Sequence, residues 1–437
     1  MKLKTLAVAL FTAGALAAPA AHAVTEIQWW HSMGGALGEA LNGLATKFNE
    51  SQKDYKVVPV YKGQYPESMT AAIAAFRAGN APHMLQVFEV GTATMMAAKG
   101  AIVPVAKLMA DAKEPFDPKA YLPTVAGYYS DIKGNMLSLP FNSSTALFYI
   151  DRNKFKAAGL PPVPPKTWKE LIAVAEKLKA AGQDCVYTSG WPSWVHIENF
   201  SAWHNVPIGT RQNGMGGVDT EFKINSPLHV RHVAMLGDMV KKGLFTYAGR
   251  TNQADSKFQS GECAMATISA GALAGTIKAG KTDWELSFLP YHDDVKGAPQ
   301  NSIIGGASLW VMGGKKAEEY KGIARFFTFL SDTDRQRWLH EVSGYLPITK
   351  AAYAGTKGSG FYEKNPGRET PLLQLTLKAP TENSAGLRFG NLVQIRDIWA
   401  EEIEAALSGQ KTAQKALDDA VARGNQSLRQ FERAVSR

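Results

Sequence analysis

The sequence of 437 residues contains little cysteine and no hydrophobic run long enough to cross a bilayer. Its two cysteines, Cys185 and Cys263, are too few for a disulfide-dense scaffold. Each lies in a strand-like segment. The two thiols could pair in an oxidising compartment, but their contexts favour two separate buried thiols.

Blocks of like charge are also missing. The formal net charge is +9, but lysine and arginine are scattered and do not alternate with aromatic residues. Nucleic acid is therefore excluded as the expected partner. A mild positive excess favours anionic small molecules only weakly.

The sequence lacks the common catalytic signatures, since it has no G-x-S-x-G, H-E-x-x-H or C-x-x-C motif. Residues 275–282 match the P-loop pattern, but an alanine-rich helical segment precedes them, so we predict a helix end capped by Gly280. His229 and His232 have helical spacing without a third ligand, which favours a solvated helix face over a metal site. A pair of carboxylates for glycoside hydrolysis remains an alternative, because the sequence does not give the distance between two carboxyl groups.

The N-terminal segment is typical of a secretory signal peptide. Lys2 and Lys4 precede an apolar run that ends in a small-x-small cleavage signal at 21–23. We therefore expect residues 1–23 to be removed and the rest to be exported to a periplasm. Loss of the two lysines lowers the formal net charge from +9 to +7.

The first part of the remaining chain alternates between strand and helix patterns. Strands are predicted at 24–30, 55–61 and 84–88, with apolar residues at helical spacing between them. This is the βαβ pattern of a parallel sheet with helices on its faces, in which ligands bind beyond the carboxyl ends of the strands. Glu89 stands at such an end, either as a ligand contact or as a helix N-terminal acid. The total length predicts two domains.

A glycine pair and a tight turn mark the region 301–353. Gly305 and Gly306 interrupt a strand pattern, which indicates close approach of a backbone or a ligand. Tyr345 lies on a short turn beside two helical patterns. These residues indicate either a binding site mounted on a rigid scaffold, or a β-bulge with a buried tyrosine.

Several other residues have the chemistry of ligand contacts. Trp168 lies in the first turn of a helix that opens with a capping box of Thr167 and Glu170, and it could contact a ligand or hold the helix to its neighbour. Trp191 and Trp194 share a loop that could stack on a polyol or be buried. Further candidates are Tyr65, which opens a helix, Ser144, in an extended segment, Ser269, at a strand end, and Arg396, near the start of a long helix.

Short motifs along the chain resemble the extracytoplasmic solute-binding proteins of ABC importers, which include the maltose-binding type. The broader motifs are FRAGNAP at 76–82, PKTW at 165–168 and GECAM at 261–265. Others resemble the sn-glycerol-3-phosphate-binding members of the family: WHSM at 30–33, YKG at 61–63, FEVGTATMM at 88–96, PFNSS at 140–144, IIGGASLW at 303–310 and GYLPITK at 344–350.

The resemblance implies an α/β fold with two lobes, each a mixed, mainly parallel sheet flanked by helices, and a cleft between them. Residues 24–139 and 302–350 would form the first lobe, and 140–301 and 351–437 the second. The implied ligand-binding residues are Tyr65, Glu89, Ser144, Trp168, Ser269, Gly306, Tyr345 and Arg396. Ala270 and Ala272 stand where these relatives have serines.

The resemblance also implies a function. The expected protein is a periplasmic receptor, monomeric when free, that delivers sn-glycerol-3-phosphate to an inner-membrane ABC permease and its ATPase. No cofactor, metal or catalytic residue is expected. One alternative in the same class binds glycerophosphodiesters or a sugar, favoured by a wider cleft around Ala270 and Ala272. Another alternative is an exported hydrolase on the same scaffold.

Overall fold

The computed structural model describes residues 23–98, 100–131 and 133–436. The predicted signal peptide lies outside these residues except for Ala23. Within the described ranges, no helix combines the length and hydropathy of a membrane span.

The strands follow the predicted pattern closely in the first part of the chain, where β3 has the predicted bounds. They are β1 (Thr25–His31), β2 (Tyr55–Tyr61), β3 (Met84–Phe88), β4 (Ile102–Val103), β5 (Leu139–Ser144), β6 (Ala146–Asp151), β7 (Cys185–Ser189), β8 (Phe245–Tyr247), β9 (Cys263–Ser269), β10 (Trp284–Ser287) and β11 (Gly305–Met312).

Helices connect and cover these strands. The first half of the chain contains α1 (Gly35–Ser51), α2 (Tyr65–Arg77), α3 (Thr92–Ala97), α4 (Val105–Ala112), α5 (Pro123–Tyr128), α6 (Arg152–Ala157), α7 (Trp168–Ala180), α8 (Phe200–Trp203) and α9 (Thr210–Asn213). The second half contains α10 (Pro227–Lys241), α11 (Gln253–Gln259), α12 (Ala272–Ala279), α13 (Ala317–Leu330), α14 (Thr333–Ser343), α15 (Lys350–Gly358), α16 (Phe361–Lys364), α17 (Thr370–Leu375), α18 (Leu392–Leu407) and α19 (Ala413–Val435). Two 3₁₀ turns, Glu89–Gly91 and Pro118–Ala120, and a π-helix, Trp194–Asn199, complete the set in the described ranges.

Local signals explain several helix ends. Thr167 Oγ1 accepts a hydrogen bond from the Glu170 amide at 3.1 Å, and the Glu170 carboxylate accepts one from the Thr167 amide at 3.1 Å. This is the predicted capping box at the start of α7. Gly280 ends α12 with φ of 60°, so residues 275–282 are a helix C-terminus and not a phosphate loop.

The first lobe is built on a sheet of order β2-β1-β3-β11-β4, with β5 paired to β11. β1 pairs in parallel with β2 and β3, whereas β11 runs antiparallel to β3, β4 and β5. Helices α1 and α13 pack on this sheet. Trp29 and Phe326 are fully buried there, with ring centroids 5.5 Å apart. Aromatic pairs of this kind stabilise a core beyond the area they bury.

The second lobe is built on a sheet of order β10-β6-β9-β7-β8, with parallel pairs between β7 and its two neighbours and antiparallel pairs elsewhere. The predicted α/β class with mixed sheets is confirmed. The sheets contain more antiparallel pairs than the mainly parallel sheets that were predicted. The reason is that β5, β10 and β11 do not join their sheets through βαβ units, which are the connections that give parallel neighbours.

The two cysteines form a disulfide bond, so the prediction of two separate thiols is wrong. Cys185 opens β7 and Cys263 opens β9, and the two residues are directly paired in the parallel ladder with Cα atoms 4.5 Å apart. Adjacent strands hold paired residues within disulfide reach. The sequence, which places them 78 residues apart, does not reveal this register.

The chain crosses between the lobes beside β5. The sequence assigned residues 140–144 to the second lobe, but β5 pairs with β11 in the first sheet, so the crossing lies at Thr145. Thr145 Oγ1 donates to Ser302 Oγ at 2.7 Å, which joins this crossing to the returning one. Two of the three crossings, at Thr145 and Ser302, therefore lie side by side at the base of the cleft.

Candidate functional site

A cavity of about 150 Å³ opens between the two lobes at the carboxyl ends of four strands. Ser32, Glu89, Trp191 and Ser269 line it, and these residues end or follow β1, β3, β7 and β9. The other residues of its wall are Met33, Gly34, Leu37, Gln64, Tyr65, Phe88, Trp194, Asn252, Asp255, Gly271, Ala272, Gly306, Tyr345 and Arg396. Ligands in open α/β sheets bind at such strand ends.

Arg396 joins the two lobes through an ion pair that involves two carboxylates. Its Nη2 donates to Glu89 Oε1 of the first lobe at 2.6 Å, and its Nε and Nη2 donate to the two oxygens of Glu198, each at 2.6 Å. The exposed fractions of the side chains are 10% for Arg396, 5% for Glu89 and 0% for Glu198. Within the described part of the chain, Arg396 Nη1 has no hydrogen-bond partner and stays available as a donor.

Burial and neighbouring charge shift the proton equilibria of this group. Burial raises the pKa of Glu89; the positive charge of Arg396 opposes that rise and the negative charge of Glu198 adds to it. Burial alone would lower the pKa of Arg396, but the charges of Glu198 and Glu89 keep it above its usual value. Arg396 therefore remains a cation, and Glu89 is the group of this pair that titrates.

A network of side-chain amides positions the tyrosine ring on the first-lobe side of the cavity. Asn142 Nδ2 donates to Tyr65 Oη at 2.9 Å, and Gln86 Nε2 donates to Asn142 Oδ1 at 2.9 Å. The Tyr65 ring stacks on Phe88 with centroids 5.0 Å apart. Tyr65 is therefore held by both packing and hydrogen bonds, as a preorganised contact requires.

Hydroxyl groups from different elements of both lobes lie at the site. Ser269 Oγ lies 2.6 Å from Ser144 Oγ and accepts a hydrogen bond from the Gly271 amide at 3.1 Å. Ser144 is buried behind Ser269 and does not line the cavity. The Tyr345 hydroxyl contacts Met33 Sδ at 3.3 Å, which ties the turn after α14 to the segment after β1.

The glycine pair of β11 allows close approach, as its sequence pattern indicated. A Cβ on Gly306 would lie 2.0 Å from the Asn142 carbonyl oxygen, and the residue has φ of 81°. A Cβ on Gly305 would lie 2.3 Å from the Trp194 ring. Gly305 therefore leaves room for Trp194 in the cavity wall, and Gly306 lets β5 and β11 pair at the base of the cavity.

Trp168 lies outside the cavity wall. It is 3% exposed and packs in the second lobe, with its ring centroid 4.9 Å from that of His232 and 6.2 Å from that of Tyr187. The helix start places it toward the lobe interior, which corrects the prediction that it touches a ligand. His229 and His232 are also buried, so the solvated face predicted for them is wrong: the apolar side of α10 faces the lobe core.

Several residues of the site were not among the predicted ligand contacts, and three of them have notable chemistry. Glu198 belongs to the π-helix, a geometry that often marks functional sites and has no simple sequence signal. Trp194 comes from the two-tryptophan loop, which the sequence left open between stacking and burial. Asp255 lies in the first turn of α11 and had no distinguishing motif.

A family model described as bacterial extracellular solute-binding protein matches residues 43–370. This match spans most of the chain and both lobes. The chain belongs to this family. As a solute-binding protein it has the two-lobed cleft architecture in which the cavity lies.

Curated relatives of this solute-binding protein extend over nearly the whole chain. The sn-glycerol-3-phosphate-binding periplasmic protein UgpB of Rhizobium meliloti (strain 1021) is 53% identical over 410 residues, covering 93% of this chain and 95% of the relative. The protein of the same name from Yersinia pseudotuberculosis serotype I (strain IP32953) is 53% identical over 416 residues, covering 95% and 94%.

Solved structures confirm the fold at lower identity. UgpB from Mycobacterium tuberculosis in complex with glycerophosphocholine has a TM-score of 0.77 at 20% identity, with 93% of this chain and 99% of that chain covered. Maltose-bound MalE3 of T. maritima has a TM-score of 0.76 at 18% identity, with 92% and 99% covered. The two-lobed α/β fold predicted from the sequence is therefore shared with receptors for different ligands.

Proposed function

We propose that this solute-binding protein is a periplasmic receptor that captures sn-glycerol-3-phosphate and delivers it to an inner-membrane ABC permease and its ATPase. The names of relatives at 53% identity support the ligand class. The observation that carries the proposal is the cavity, since its polar groups come from both lobes and suit a short polyol phosphate.

The proposed site assigns the phosphate to donors on the second-lobe side and at the base. Ser269 and Tyr345 offer hydroxyl groups there, Gly306 offers close access to backbone, and Ser144 supports Ser269 from behind. Arg396 adds the free donors of Nη1. Charge-assisted hydrogen bonds to a phosphate are stronger than neutral ones, so Arg396 would contribute most to affinity.

The glycerol end would contact Glu89 and the aromatic residues. Glu89 accepts hydrogen bonds from hydroxyl groups, and Tyr65, Trp191 and Trp194 present ring surfaces along the same cavity. A ligand that touches both lobes stabilises the closed arrangement by its differential affinity for that state. Capture and closure would then be one event.

The direct test is isothermal titration calorimetry of the mature protein after unfolding and refolding. Saturable one-to-one binding of sn-glycerol-3-phosphate, with no heat from maltose, is the expected result. Binding of maltose alone would overturn the proposed ligand class. The Glu89→Gln variant should weaken binding about tenfold, because it removes a charged acceptor for hydroxyl groups. Glu50→Gln is the matched control, because Glu50 is an exposed acid of α1 with no ion pair among the described residues.

We also propose that the receptor performs no catalysis and is monomeric when free. The described residues of the cavity include no serine, cysteine or lysine next to a base in nucleophile–base geometry. Prolonged incubation with the ligand should release neither phosphate nor glycerol, and analytical ultracentrifugation should give one monomeric species. Release of phosphate in proportion to receptor concentration would favour the hydrolase alternative.

A further inference from the structure

Asp255 is a cavity residue whose carboxylate has no partner among the described residues. Its Oδ1 atom is buried and has no hydrogen-bond donor among the described residues. The residue lines the cavity together with Asn252, Ser269 and Tyr345. A buried carboxylate oxygen without a partner is rare and costly, so its presence in a binding cavity indicates that a ligand supplies the missing group.

The other charges of the cavity do not neutralise Asp255. The lining residues with formal charges are Glu89, Asp255 and Arg396. Arg396 is already shared between Glu89 and Glu198, so the local group of one cation and three carboxylates has an excess of negative charge. A phosphate monoester would increase that excess, whereas a ligand that also carries a cation would reduce it.

The surroundings of Asp255 bring the pKa of its carboxyl group close to neutral pH. Burial raises the pKa of Asp255 to about 7, with no charged neighbour contributing. The titratable groups that sense its charge are the hydroxyl groups of Tyr149 and Tyr345, whose own pKa values burial keeps above the usual value. Asp255 therefore changes charge near neutral pH while these neighbours remain neutral.

Aromatic and small residues that line the same cavity complete a subsite with Asp255. A Cβ on Gly190 would lie 3.4 Å from Asp255 Oδ1, so the carboxylate borders the loop that carries Trp191. The Trp191 and Tyr65 rings lie with centroids 6.3 Å apart, and Ala272 adds little side-chain volume to the wall. Ring faces and a carboxylate are the surroundings that favour an ammonium group.

We propose that Asp255 is a specificity-determining residue, which favours phosphodiesters that carry an ammonium group over phosphodiesters that lack one. The proposal rests on the proposed function, because it takes the glycerol phosphate portion as already held by the site described above. The ammonium group would pair with the Asp255 carboxylate from the cavity side.

The test compares two diesters of glycerol phosphate that differ in the second substituent. The ethanolamine diester carries an ammonium group, and the glycerol diester of similar size has hydroxyl groups only. Calorimetry is run with the wild type, with Asp255→Asn, and with Asp238→Asn as the control. Asp238 is an exposed acid of α10, 68% exposed at its side chain, so the control removes the same formal charge away from the cavity.

The expected result is a change in the ratio of the two affinities. Asp255→Asn should weaken binding of the ethanolamine diester about tenfold and change that of the glycerol diester by less than about twofold, since close buried charge pairs couple strongly. Asp238→Asn should leave both affinities unchanged. An unchanged ratio in folded Asp255→Asn would overturn the proposal.

The wild type supplies a second, independent measurement. From pH 6 to pH 8 Asp255 ionises, so the preference for the ethanolamine diester should rise, while any titration of Glu89 affects both diesters and cancels in the ratio. A wild-type ratio that is independent of pH would overturn the role of Asp255 even if the variant failed to fold. If no ester of glycerol phosphate bound to the wild type, the proposed function itself would fall.

Discussion

Among single residues, Arg396 has the most demanding environment. It stands in a buried site with two carboxylates that lie 198 and 307 positions away in sequence. Removal of one partner from a buried ion pair leaves uncompensated charge, which costs more than the pair contributes. Arg396 is therefore expected to matter for stability as well as for binding.

The Arg396→Ala variant should lose about 3–5 kcal/mol of unfolding free energy at pH 8 and less at pH 5. Without the guanidinium, the pKa of Glu89 rises further above its unfolded value. A raised acid pKa means that the folded state binds protons more tightly, so the variant regains stability as pH falls. Urea denaturation at both pH values measures the difference.

Arg250→Ala is the matched comparison. Arg250 pairs with Glu404, but its side chain is 39% exposed, so its removal should cost about 1 kcal/mol or less at either pH. Equal losses for Arg396→Ala at pH 5 and pH 8 would contradict the interpretation that stranded carboxylates cause the destabilisation.

Sequence patterns identified those cavity residues whose amino-acid type is unusual for the secondary structure around them. Glu89 at a strand end, Gly306 in a strand and Tyr345 on a turn each depart from the local pattern, and such departures are visible without a structure. Glu198 is an ordinary acid until the fold brings it to Arg396. Trp168 was predicted to contact a ligand but packs inside the second lobe, because a helix start does not reveal which way its first turn faces.

Among the elements, the pairing of β5 with β11 depends on Gly306. The Gly306→Ala variant should be strongly destabilised, by about 3 kcal/mol or more, because both the positive φ and contact with the Asn142 carbonyl oppose a side chain. Gly314→Ala is the control: Gly314 has φ of 76° with open space around it, so it reports backbone strain alone, about 1–2 kcal/mol.

Chemical denaturation of both glycine variants measures the two costs. A loss for Gly306→Ala no larger than that for Gly314→Ala would show that the strands separate to accept the methyl group. Calorimetry of any folded Gly306→Ala protein should also show weaker ligand binding, because the base of the cavity moves.

The disulfide bond ties β7 and β9 at the ends remote from the cavity, since Cys185 and Cys263 open strands whose other ends carry Ser189 and Ser269. Reduction should lower the unfolding free energy by about 4.5 kcal/mol, as expected for a loop of 78 residues, and leave ligand affinity unchanged. Denaturation and calorimetry with and without reductant check both parts. A loss of affinity in the reduced, folded protein would contradict the separation of crosslink and site.

Element prediction succeeded where the pattern is local and stopped where pairing is long-range. Hydrophobic periodicity located β1 to β3 and the helices between them, and the capping box located α7. The sheet membership of β5 depends on β11, more than 150 positions later, and the disulfide depends on strand register. Neither is encoded in the spacing of residues within the segment itself.

Across the whole molecule, buried histidines should set the acid limit of stability. Four buried histidines, His196, His204, His229 and His232, cluster with the half-buried His292 in the second lobe. Desolvation lowers each pKa, for example to about 4 in His229 and His292. These groups contribute stability that is fully present above about pH 6.5 and is lost as pH falls toward 4. One imidazole shifted by two units accounts for about 3 kcal/mol.

The unfolding free energy should therefore fall between pH 6.5 and pH 4.5, against a smaller opposite contribution from Glu89 and Asp255, whose pKa values are raised. The His232→Phe variant should take up one proton fewer on unfolding, so the dependence of its unfolding free energy on pH should be shallower. The variant should fold, since the new ring can stack on Phe200, whose centroid lies 4.0 Å from that of His232. Denaturation curves across this pH range measure the slope. A slope identical to the wild type would contradict the assignment to His232.

The hydrogen bond between Thr145 and Ser302 joins the two crossings at the base of the cleft, and this restricts how many independent motions the lobes have. Two separate strands of chain would allow the lobes to twist as well as to open. The two joined crossings bend together, so they act as one hinge and not as two when the lobes open. A spectroscopic distance between labels at positions 39 and 278, on opposite lips of the cleft, follows this opening.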